Sequence, residues 1–385
     1  MQFTLSASDE TFRQEVRTWI SQEFAPDWDG GTTVSQEEIY AAGHETNKKL
    51  AGRGWLAMSW PKEFGGGGAT YWQQLIFNEE MAYHRIPVGS AVGIGFAGPT
   101  IIIYGTPEQK ARYLPKTVSG EMIWCQGFSE PGSGSDLASL QTRAVRDGDR
   151  YVVNGQKIWT SFAHYADNMI LLTRTDPGAP KHKGITYFLV DMKSPGITVR
   201  PLIDMSGGHF FNEVFFEDVS VPAECLLGEE NRGWYQAATT LDFERSSVAG
   251  SAGLRRSLEE LVSYFRDRKL VTREFRTQAA DLRISIEIAR LLSYQVVSMQ
   301  SRGLVPNHQA SITKLFNSEL GQRFARVGFQ QLGLAGQLTP GSPYAPLYGR
   351  YANNVMTTVP STIAGGTSEV QRNIIATRGL GLPRG

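Results

Sequence analysis

The sequence predicts an α+β fold in three parts, with helices at both ends of the chain and a β-domain between them. Apolar residues recur at helical spacing in the first third of the chain and again after residue 233. From about Met122 the pattern changes to short segments of β-branched and aromatic residues separated by turn residues. We therefore expect an N-terminal helical domain over 1–121, a central antiparallel β-domain over 122–231 and a C-terminal helical bundle domain over 232–385.

The composition of the 385-residue chain excludes several classes of protein. Lys and Arg together number 38, as do Asp and Glu, so no net charge draws the chain to nucleic acid or to an anionic membrane. The uncharged stretch 86–107 contains Pro87, Pro99 and five glycines, which suit a packed interior better than a lipid-facing helix. The two cysteines form no metal-binding pattern and favour a reducing compartment. We expect no membrane span and no metal site.

Start signals mark two of the N-terminal helices. Ser8 is a plausible N-cap for a helix in which Phe12, Val16 and Ile20 follow at helical spacing. Thr106-Pro107-Glu108-Gln109 is a capping box with proline at the first helical position.

Three amphipathic runs follow the β-domain, over Trp234–Arg268, Arg276–Arg302 and His308–Gln331. Runs of this length joined by short loops are typical of a helix bundle. The sequence therefore predicts that the C-terminal domain is a bundle.

The stretch from Cys125 to Ser161 contains the densest set of motifs. The turn signals Asp147-Gly148 and Asn154-Gly155 separate short runs of β-formers and predict a β-meander. Ahead of them lies the loop 129–136, which is rich in glycine and hydroxyl side chains. Such a loop can expose its backbone N–H groups to a ligand, but many glycine-rich loops only turn the chain.

The loop SEPGSGSD (129–136) and the strand NGQKIWTS (154–161) resemble the flavin-binding signature of the acyl-CoA dehydrogenase family. The likeness continues through FNEVFFEDVSVP (211–222) and ends with IAGGTSEVQRNIIATRGLGLPRG (363–385). It covers nearly the whole chain, with several separate motifs in the order of the family. The resemblance implies that the C-terminal domain is a four-helix bundle and that FAD binds between it and the β-domain.

The same resemblance implies an oxidoreductase that acts on the CH–CH group of an acyl-CoA. Removal of the α-proton and transfer of the β-hydride to flavin N5 would form a 2,3-enoyl-CoA, and an electron-transfer flavoprotein would then reoxidise the flavin. Amino acids offer no hydride acceptor, so a cofactor is required. The family relation implies lipid metabolism, β-oxidation and a tetramer. We expect the bacterial cytoplasm, or the mitochondrial matrix if the protein is eukaryotic and processed.

Carried over position by position, the resemblance assigns two groups of residues to FAD. The residues expected to face the flavin ring are Gln126, Phe128, Ser129, Trp159 and Ser161. Those expected near the phosphates and the adenosine are Thr367 and Glu369 and, from a neighbouring subunit, Arg268 and Gln330. Taken alone, Trp159 is explained at least as well by a place in the core.

The identity of the catalytic base is the most informative question that the sequence raises. Many members of the family carry a catalytic Glu where this chain has Gly365, and glycine cannot accept a proton. The isovaleryl- and long-chain-type members place the Glu before an Arg on a C-terminal helix, where this chain has Glu244-Arg245. We predict Glu244 as the base, Gly365 as a backbone donor to the thioester oxygen, and Arg245 and Ser135 near CoA. A surface Glu in an ion pair is the alternative explanation of Glu244.

Two other functions stay open at this point. Flavin-dependent monooxygenases and nitroalkane-type oxidases share the fold, but they lack or replace the CoA-oriented Glu, so Glu244-Arg245 argues against them. The chain could also be one subunit of a heteromeric dehydrogenase. Lys269–Thr272 follows Arg268 where a Phe-Gly pair is common, and Gln331–Leu334 follows Gln330 where a double glycine is usual. We therefore expect either a homotetramer or a heterotetramer with a related subunit.

No motif identifies the acyl group. The variants WCQGFSEP and IWTS resemble actinobacterial branches that act on branched, aromatic or sterol-derived acyl-CoAs.

Overall fold

The structure is a computed structural model of the chain. Its described residues are 5–25, 27–32, 34–89, 91–245 and 250–383. Of residues 242–245 and 250 only the backbone is described.

Helices form both terminal thirds of the chain, as the apolar periodicity predicts. The α-helices of the described residues are α1 (Ala7–Glu23), α2 (Gln36–Gly52), α3 (Tyr71–His84), α4 (Gly98–Tyr104), α5 (Pro107–Val118), α6 (Gly233–Arg245), α7 (Gly250–Asp267), α8 (Arg273–Gln300), α9 (Asn307–Gln331), α10 (Arg350–Thr357) and α11 (Ser368–Ile374). The predicted run Trp234–Arg268 thus contains two helices, α6 and α7.

The middle of the chain forms one sheet. Its strands are β1 (Trp124–Gly127), β2 (Arg143–Asp147), β3 (Arg150–Lys157), β4 (Asn168–Arg174), β5 (Ile185–Asp191), β6 (Ile197–Leu202) and β7 (Phe211–Pro222). The strand order is β1-β4-β2-β3-β7-β6, with β5 also paired to β4. Four of the pairings are antiparallel, as predicted, whereas β1 runs parallel to β4 and β2 meets β4 in parallel at a single position.

The chain divides into two compact units, which do not follow the order of the sequence. A helical unit contains Met1–Ile39, Ala69–Pro87 and Arg245–Gly385, and a sheet unit contains Tyr40–Gly68 and Val88–Glu244. The predicted domain boundaries after residues 121 and 231 stay a prediction.

Side-chain caps fix the starts of three helices. Ser6, Thr70 and Thr106 each accept a hydrogen bond from the third helical N–H in a capping box. The box at Thr106 is the predicted one, whereas the predicted N-cap at Ser8 is wrong. Ser6 is the cap because the Asp9 carboxylate, three residues on, accepts from its N–H at 3.2 Å.

One of the two predicted turns is a turn and the other is a bulge. The Asp147-Gly148 signal joins β2 to β3, with Gly148 at φ +63°. Asn154-Gly155 lies inside β3, where the pairing with β7 shifts register between Val153 and Gly155. Gly155 is required there, since its φ is +147° and a Cβ would lie 2.7 Å from the Thr142 backbone.

Strands β4 and β5 are buried on both faces, and each face belongs to a different core cluster. One cluster contains Ile170, Leu172, Tyr187 and Leu189 with Ile101, Tyr113 and Trp124. The other contains Met169, Leu171, Phe188 and Val190 with Tyr151, Val153 and Val214. The sequences of β4 and β5 are therefore continuous runs of mostly apolar residues and do not alternate between apolar and polar residues.

The uncharged stretch 86–107 packs into the first of these clusters. It forms a π-helical segment at Gly93–Ala97 followed by α4, and Ala97 and Ile101 have no exposed surface. No helix among the described residues is both long enough and apolar enough to span a bilayer.

In the helical unit, α7, α8 and α9 pack against one another, and α10 and α11 contact α9. Their shared core includes Leu261, Phe265, Ile286, Phe324 and Tyr351. Helix α3 packs against α1, α7 and α8 in the same unit. A helical bundle is thus formed as predicted.

A cluster of ion pairs between side chains links α3 to this bundle. Arg85, which follows α3, donates to both carboxylate oxygens of Glu260 on α7 at 2.8 and 2.7 Å. Arg350 and Arg256 donate to the same carboxylate. Burial alone would raise the pKa of Glu260, but the hydrogen bond from Arg85 and the charges of Arg350 and Arg85 hold it at about 2.

We expect Glu260→Gln to destabilise the protein at pH 7 and to have little effect near pH 2.5. Because the folded pKa is depressed, the carboxylate stabilises the fold above its ordinary pKa of 4.5, and this contribution is lost as the pH falls toward 2. Breaking a buried ion pair costs about 3–5 kcal/mol, and the partial exposure of Glu260 reduces the expected cost to about 2–3 kcal/mol. Urea unfolding of both proteins at pH 7, 5 and 2.5 measures it.

The matched control is Glu45→Gln, which breaks an exposed ion pair with Lys48. Exposed pairs contribute little, so no change is expected at any of these pH values. A gap between wild type and Glu260→Gln that stays constant from pH 7 to pH 2.5 would contradict the assignment.

Candidate functional site

Two backbone segments of the sheet unit meet at the predicted ring-facing residues. The Ile158 N–H, directly after β3, donates to the Ser129 carbonyl in the loop after β1 at 3.0 Å. Gln126 is the half-buried residue of β1. Phe128 is buried, and its ring meets Tyr187 edge-on with 5.8 Å between centroids. The predicted residues of the loop thus lie beside the strand that leads to Trp159.

Trp159 is an exposed aromatic residue in an unusual backbone conformation. Its side chain is 53 % exposed, and its φ of +59° lies in the left-handed region, which costs a non-glycine residue about 1–2 kcal/mol. Its ring meets Phe211 edge-on at 5.6 Å between centroids. Ser161, two residues on, is half-buried. The core alternative for Trp159 is therefore wrong, and strain at an exposed aromatic residue is typical of a binding surface.

The glycines of the SEPGSGSD loop leave part of its backbone uncovered. The loop is held by a pair of backbone hydrogen bonds between Glu130 and Ser133 at 2.9 and 3.0 Å. A Cβ at Gly132 or Gly134 would meet nothing within 4 Å among the described residues, and neither has a left-handed φ. The described residues therefore leave room for a side chain at both positions of the loop that the resemblance assigns to the flavin. Ser135 is exposed on this loop.

A buried ion pair holds this loop, and sequence analysis missed it. Lys157 has no exposed surface, and its Nζ donates to Glu130 Oε1 at 2.7 Å and to the Phe128 carbonyl at 3.0 Å. The available signal was the two-residue period of the strand, which places Lys157 on the same face as Tyr151 and Val153. A charge in that position needs a buried partner.

In the helical unit, Gly365 and Gly366 form a tight turn before α11. Their φ angles are +64° and +89°. The carbonyls of both accept from Gln371 Nε2 at 3.0 and 3.2 Å, and the Gly366 carbonyl also accepts from Lys314 at 2.6 Å. Thr367 caps α11 by accepting from the third helical N–H at 3.2 Å. Among the described residues the Gly365 N–H has no acceptor, which leaves it available as a donor.

An open cleft of about 700 Å³ lies beside this turn. It is lined by Glu319, Gln322, Arg323, Arg326, Thr362, Ile363, Thr367, Ser368, Glu369 and Arg372. The Ser368 hydroxyl is buried and has no hydrogen-bond partner in the described part of the chain. Arg372 is paired with Glu319 and Arg323 with Asp281. Arg326 and the orphaned Ser368 hydroxyl are therefore the groups of the cleft that best suit the oxygen atoms of a phosphate-bearing ligand. Sequence analysis named Thr367 and Glu369 here but missed Ser368.

Arg268 and Gln330 lie elsewhere on the helical unit and do not line the cleft. Both are exposed, and the Arg268 guanidinium lies 3.9 Å from the centroid of the Tyr264 ring. Lys269, directly after Arg268, has a left-handed φ of +58°. Leu334, near Gln330, is 84 % exposed. The residues that follow Arg268 and Gln330, where relatives commonly have a Phe-Gly pair and a double glycine, thus include large side chains at the surface.

Helix α6 carries the predicted base near its C-terminal end. The side chains of Glu244 and Arg245 lie outside the described residues. One turn earlier, Thr240 is fully buried, and its hydroxyl lies 2.8 Å from the Thr100 hydroxyl and 3.4 Å from the Tyr187 hydroxyl. This buried network fixes the helix on which the predicted base lies.

Comparison with protein families finds three matching models that follow one another along the chain. They are the N-terminal domain of acyl-CoA dehydrogenase over residues 6–121, the middle domain over 125–219 and the C-terminal domain over 231–380. Together they match most of the chain.

Comparison with known proteins finds relatives over most of the chain. Acyl-CoA dehydrogenase FadE34 of Mycobacterium tuberculosis is 41% identical over 335 residues, which are 87% of this chain and 46% of that protein. The chain therefore spans about half the length of this relative. The solved structure "Tcur3481-Tcur3483 steroid ACAD" is 34% identical, has a TM-score of 0.91 and is matched over 100% of both chains. The ChsE4-ChsE5 complex from Mycobacterium tuberculosis is 35% identical, has a TM-score of 0.89 and is also matched over 100% of both chains.

We expect Gly366→Ala to lower both the melting temperature and the flavin content of the protein. A Cβ at this position would lie 2.7 Å from Gln371 Nε2, so that the amide would lose its hydrogen bonds to the two glycine carbonyls. The left-handed φ adds a cost of about 1–2 kcal/mol. Thermal melting and the absorbance of the purified protein measure both effects. Gly52→Ala, at the end of α2, is the control, because its Cβ would meet nothing within 4 Å among the described residues. Equal melting temperatures of the two variants would count against this role of the turn.

Proposed function

We propose that this chain, which belongs to the acyl-CoA dehydrogenase family, oxidises an acyl-CoA thioester to its 2,3-enoyl-CoA with bound FAD. The family consists of oxidoreductases that are FAD-dependent flavoproteins. The observation that carries the proposal is the exposed Trp159 in a left-handed conformation, on the strand bonded to Ser129. No packing need of the sheet unit accounts for that aromatic surface.

FAD supplies the acceptor for two electrons and one hydrogen, which no side chain provides. The residues that would hold its ring are Gln126, Phe128, Ser129, Trp159 and Ser161. Those that would hold its phosphates and adenosine are Thr367, Glu369 and Ser368, with Arg268 and Gln330 acting from a neighbouring subunit. The orphaned Ser368 hydroxyl in the arginine-lined cleft supports the phosphate end, and the exposed Trp159 supports the ring end.

Glu244 would remove the α-proton, because Gly365 carries no side chain that can accept a proton. A carboxylate on α6 would take the α-proton of the thioester. Helix α6 is anchored one turn earlier by the fully buried Thr240, which limits the positions that the carboxylate can reach. A general base must lie within hydrogen-bond distance of its proton, so such anchoring serves the reaction.

The Gly365 N–H would stabilise the negative charge that builds on the thioester oxygen as the α-proton leaves. The Gly365 and Gly366 carbonyls are both held by Gln371, so the turn that follows this N–H is fixed before substrate arrives. A preorganised donor of this kind contributes about 10²–10³ in rate in other enzymes. Arg245 and Ser135 would contact the CoA portion of the substrate.

Three finer points belong to the same proposal. One similar solved structure is named a "steroid ACAD", which supports an acyl group attached to a sterol-derived ring system. The likeness to a subunit of the ChsE4-ChsE5 complex, with the large exposed residues near Arg268 and Gln330, supports a heterotetramer over a homotetramer. An electron-transfer flavoprotein would accept the electrons, within bacterial cytoplasmic β-oxidation.

We expect the purified protein to be yellow and to release FAD rather than FMN on denaturation. The reason is that both ring-facing and phosphate-facing residues are present in one chain. Chromatography of the released flavin identifies it, and light scattering with absorbance gives the FAD content per assembly. FMN, or no flavin after reconstitution, would contradict the assignment. A chain that gains FAD only with a related partner, at about half stoichiometry, would establish the heteromeric form.

We expect Glu244→Gln to retain FAD and to lose most of its flavin reduction by acyl-CoA. The amide keeps the size of the side chain but cannot accept the α-proton, and loss of a positioned base costs about 10²–10⁴-fold in rate. Anaerobic single-turnover reduction, monitored by flavin absorbance with a panel of sterol-derived and straight-chain acyl-CoAs, measures it. Reduction at the wild-type rate would show that the base lies elsewhere.

Gly365→Glu in the Glu244→Gln background is the rescue variant. It returns a carboxylate to the position used by many relatives, although the left-handed φ of +64° costs it about 1–2 kcal/mol. Partial recovery of flavin reduction is expected. Turnover that requires oxygen and cannot use an artificial acceptor would instead favour the monooxygenase or oxidase alternative.

A further inference from the structure

The buried ion pair of the sheet unit lies directly behind the proposed flavin surface. Lys157 has no exposed surface, and Glu130 is 8 % exposed. Besides Lys157, the Glu130 carboxylate accepts from the backbone N–H groups of Gln141 and Thr142 at 2.6 and 2.8 Å. The carboxylate thus accepts three hydrogen bonds, and the lysine ammonium also donates to the Phe128 carbonyl, next to Ser129.

Both members of the pair are charged at neutral pH. Burial lowers the pKa of Lys157 to about 8, which leaves the ammonium as the main form at pH 7. Burial opposes the ionised form of Glu130, but the Lys157 charge and the hydrogen bonds from Lys157, Thr142 and Gln141 hold its pKa below the ordinary value. The pair is neutral as a whole, and its positive member is the one that donates to the Phe128 carbonyl.

This ammonium binds one end of a peptide group whose other end is available to a ligand. The Phe128 carbonyl, which accepts from Lys157, and the Ser129 N–H belong to the same peptide unit. Ser129 is half-buried, and no acceptor for its N–H lies among the described residues. A cation at the carbonyl oxygen withdraws electron density from the peptide, so the N–H at the opposite end becomes a stronger donor.

We propose that Lys157 is a positioning residue that, through the Phe128–Ser129 peptide, makes the flavin site bind the reduced cofactor more tightly than the oxidised one. The inference rests on the proposed FAD site at this loop. Reduction adds electron density to the ring, so an N–H donor that is polarised by the ammonium favours the reduced form, and in a low-dielectric interior the effect is little screened. Lys157 itself touches neither the cofactor nor the substrate in this scheme.

A purely structural role is the competing explanation. In that case Lys157 would only hold the loop to β3, and its loss would weaken both cofactor forms equally or lower stability alone. The two explanations differ in one measurable ratio, the affinity for oxidised FAD over the affinity for reduced FAD. That ratio sets the midpoint potential of the bound cofactor.

The test uses wild-type holoenzyme, Lys157→Met and the double variant Glu130→Gln/Lys157→Met. Methionine keeps the length of the side chain without its charge. The double variant also removes the unpaired buried carboxylate, whose presence alone can prevent folding. The control is Lys181→Met, which removes the same charge from the exposed Asp136–Lys181 pair at the far end of this loop. Dye equilibration gives the midpoint potential, and titration of apoprotein gives the dissociation constant of oxidised FAD.

We expect both Lys157 variants to lose about tenfold more affinity for reduced than for oxidised FAD. For a two-electron couple this tenfold change equals about 30 mV toward negative potential. Lys181→Met should keep the wild-type potential. An unchanged potential in the folded Lys157 variants, whatever their melting temperature, would overturn the inference and leave the FAD site intact. A wild-type protein that takes up no FAD, either alone or with a related partner chain, would overturn both the inference and the proposed function.

Discussion

The ion pair between Lys157 and Glu130 holds together the part of the molecule on which the proposed chemistry depends. Burying two charges away from water costs free energy unless hydrogen bonds replace those to water. Here the Glu130 carboxylate also accepts hydrogen bonds from two backbone N–H groups. The pair therefore fixes three segments at once: the loop after β1, the start of β2 and the end of β3. Ser129 and Trp159 lie on two of these segments, so their mutual position follows from the needs of the buried charge.

The sequence predicted those elements whose cause is local. Thr106 caps α5 because its hydroxyl and Gln109 are three residues apart, and Asp147-Gly148 turns because Gly148 takes a left-handed φ. Asn154-Gly155 has the same local signal, yet β7 pairs across it and converts the expected turn into a bulge. The parallel pairing of β1 with β4 is also set by distant residues. Strand pairings of this kind depend on contacts throughout the sheet, so they cannot be predicted from a single stretch of sequence.

The same distinction holds for the candidate site. The motif match named Ser129 and Trp159, whose two segments are joined by the hydrogen bond from Ile158 to Ser129, whereas Trp159 taken alone would have been assigned to the core. Lys157 was overlooked because a lysine is normally assigned to the surface, and only the strand context argues for a buried partner. Ser368 was overlooked because nothing in the sequence shows that its hydroxyl is buried and unbonded. Both residues matter through what surrounds them rather than through their own chemistry.

The helical unit adds a constraint on assembly. Leu270 is 50% exposed and Leu334 is 84% exposed, and they lie near Arg268 and Gln330, the two positions where the resemblance places contacts with a neighbouring subunit's cofactor. Burying a leucine side chain contributes about 1.5–3 kcal/mol, so a partner that covers these residues gains stability from them. A leucine that covers apolar surface cannot replace the open backbone that a glycine pair offers to a cofactor. The side chains of Leu270 and Leu334 therefore suit contact with another protein surface better than contact with a cofactor, which agrees with the heteromeric assembly proposed above.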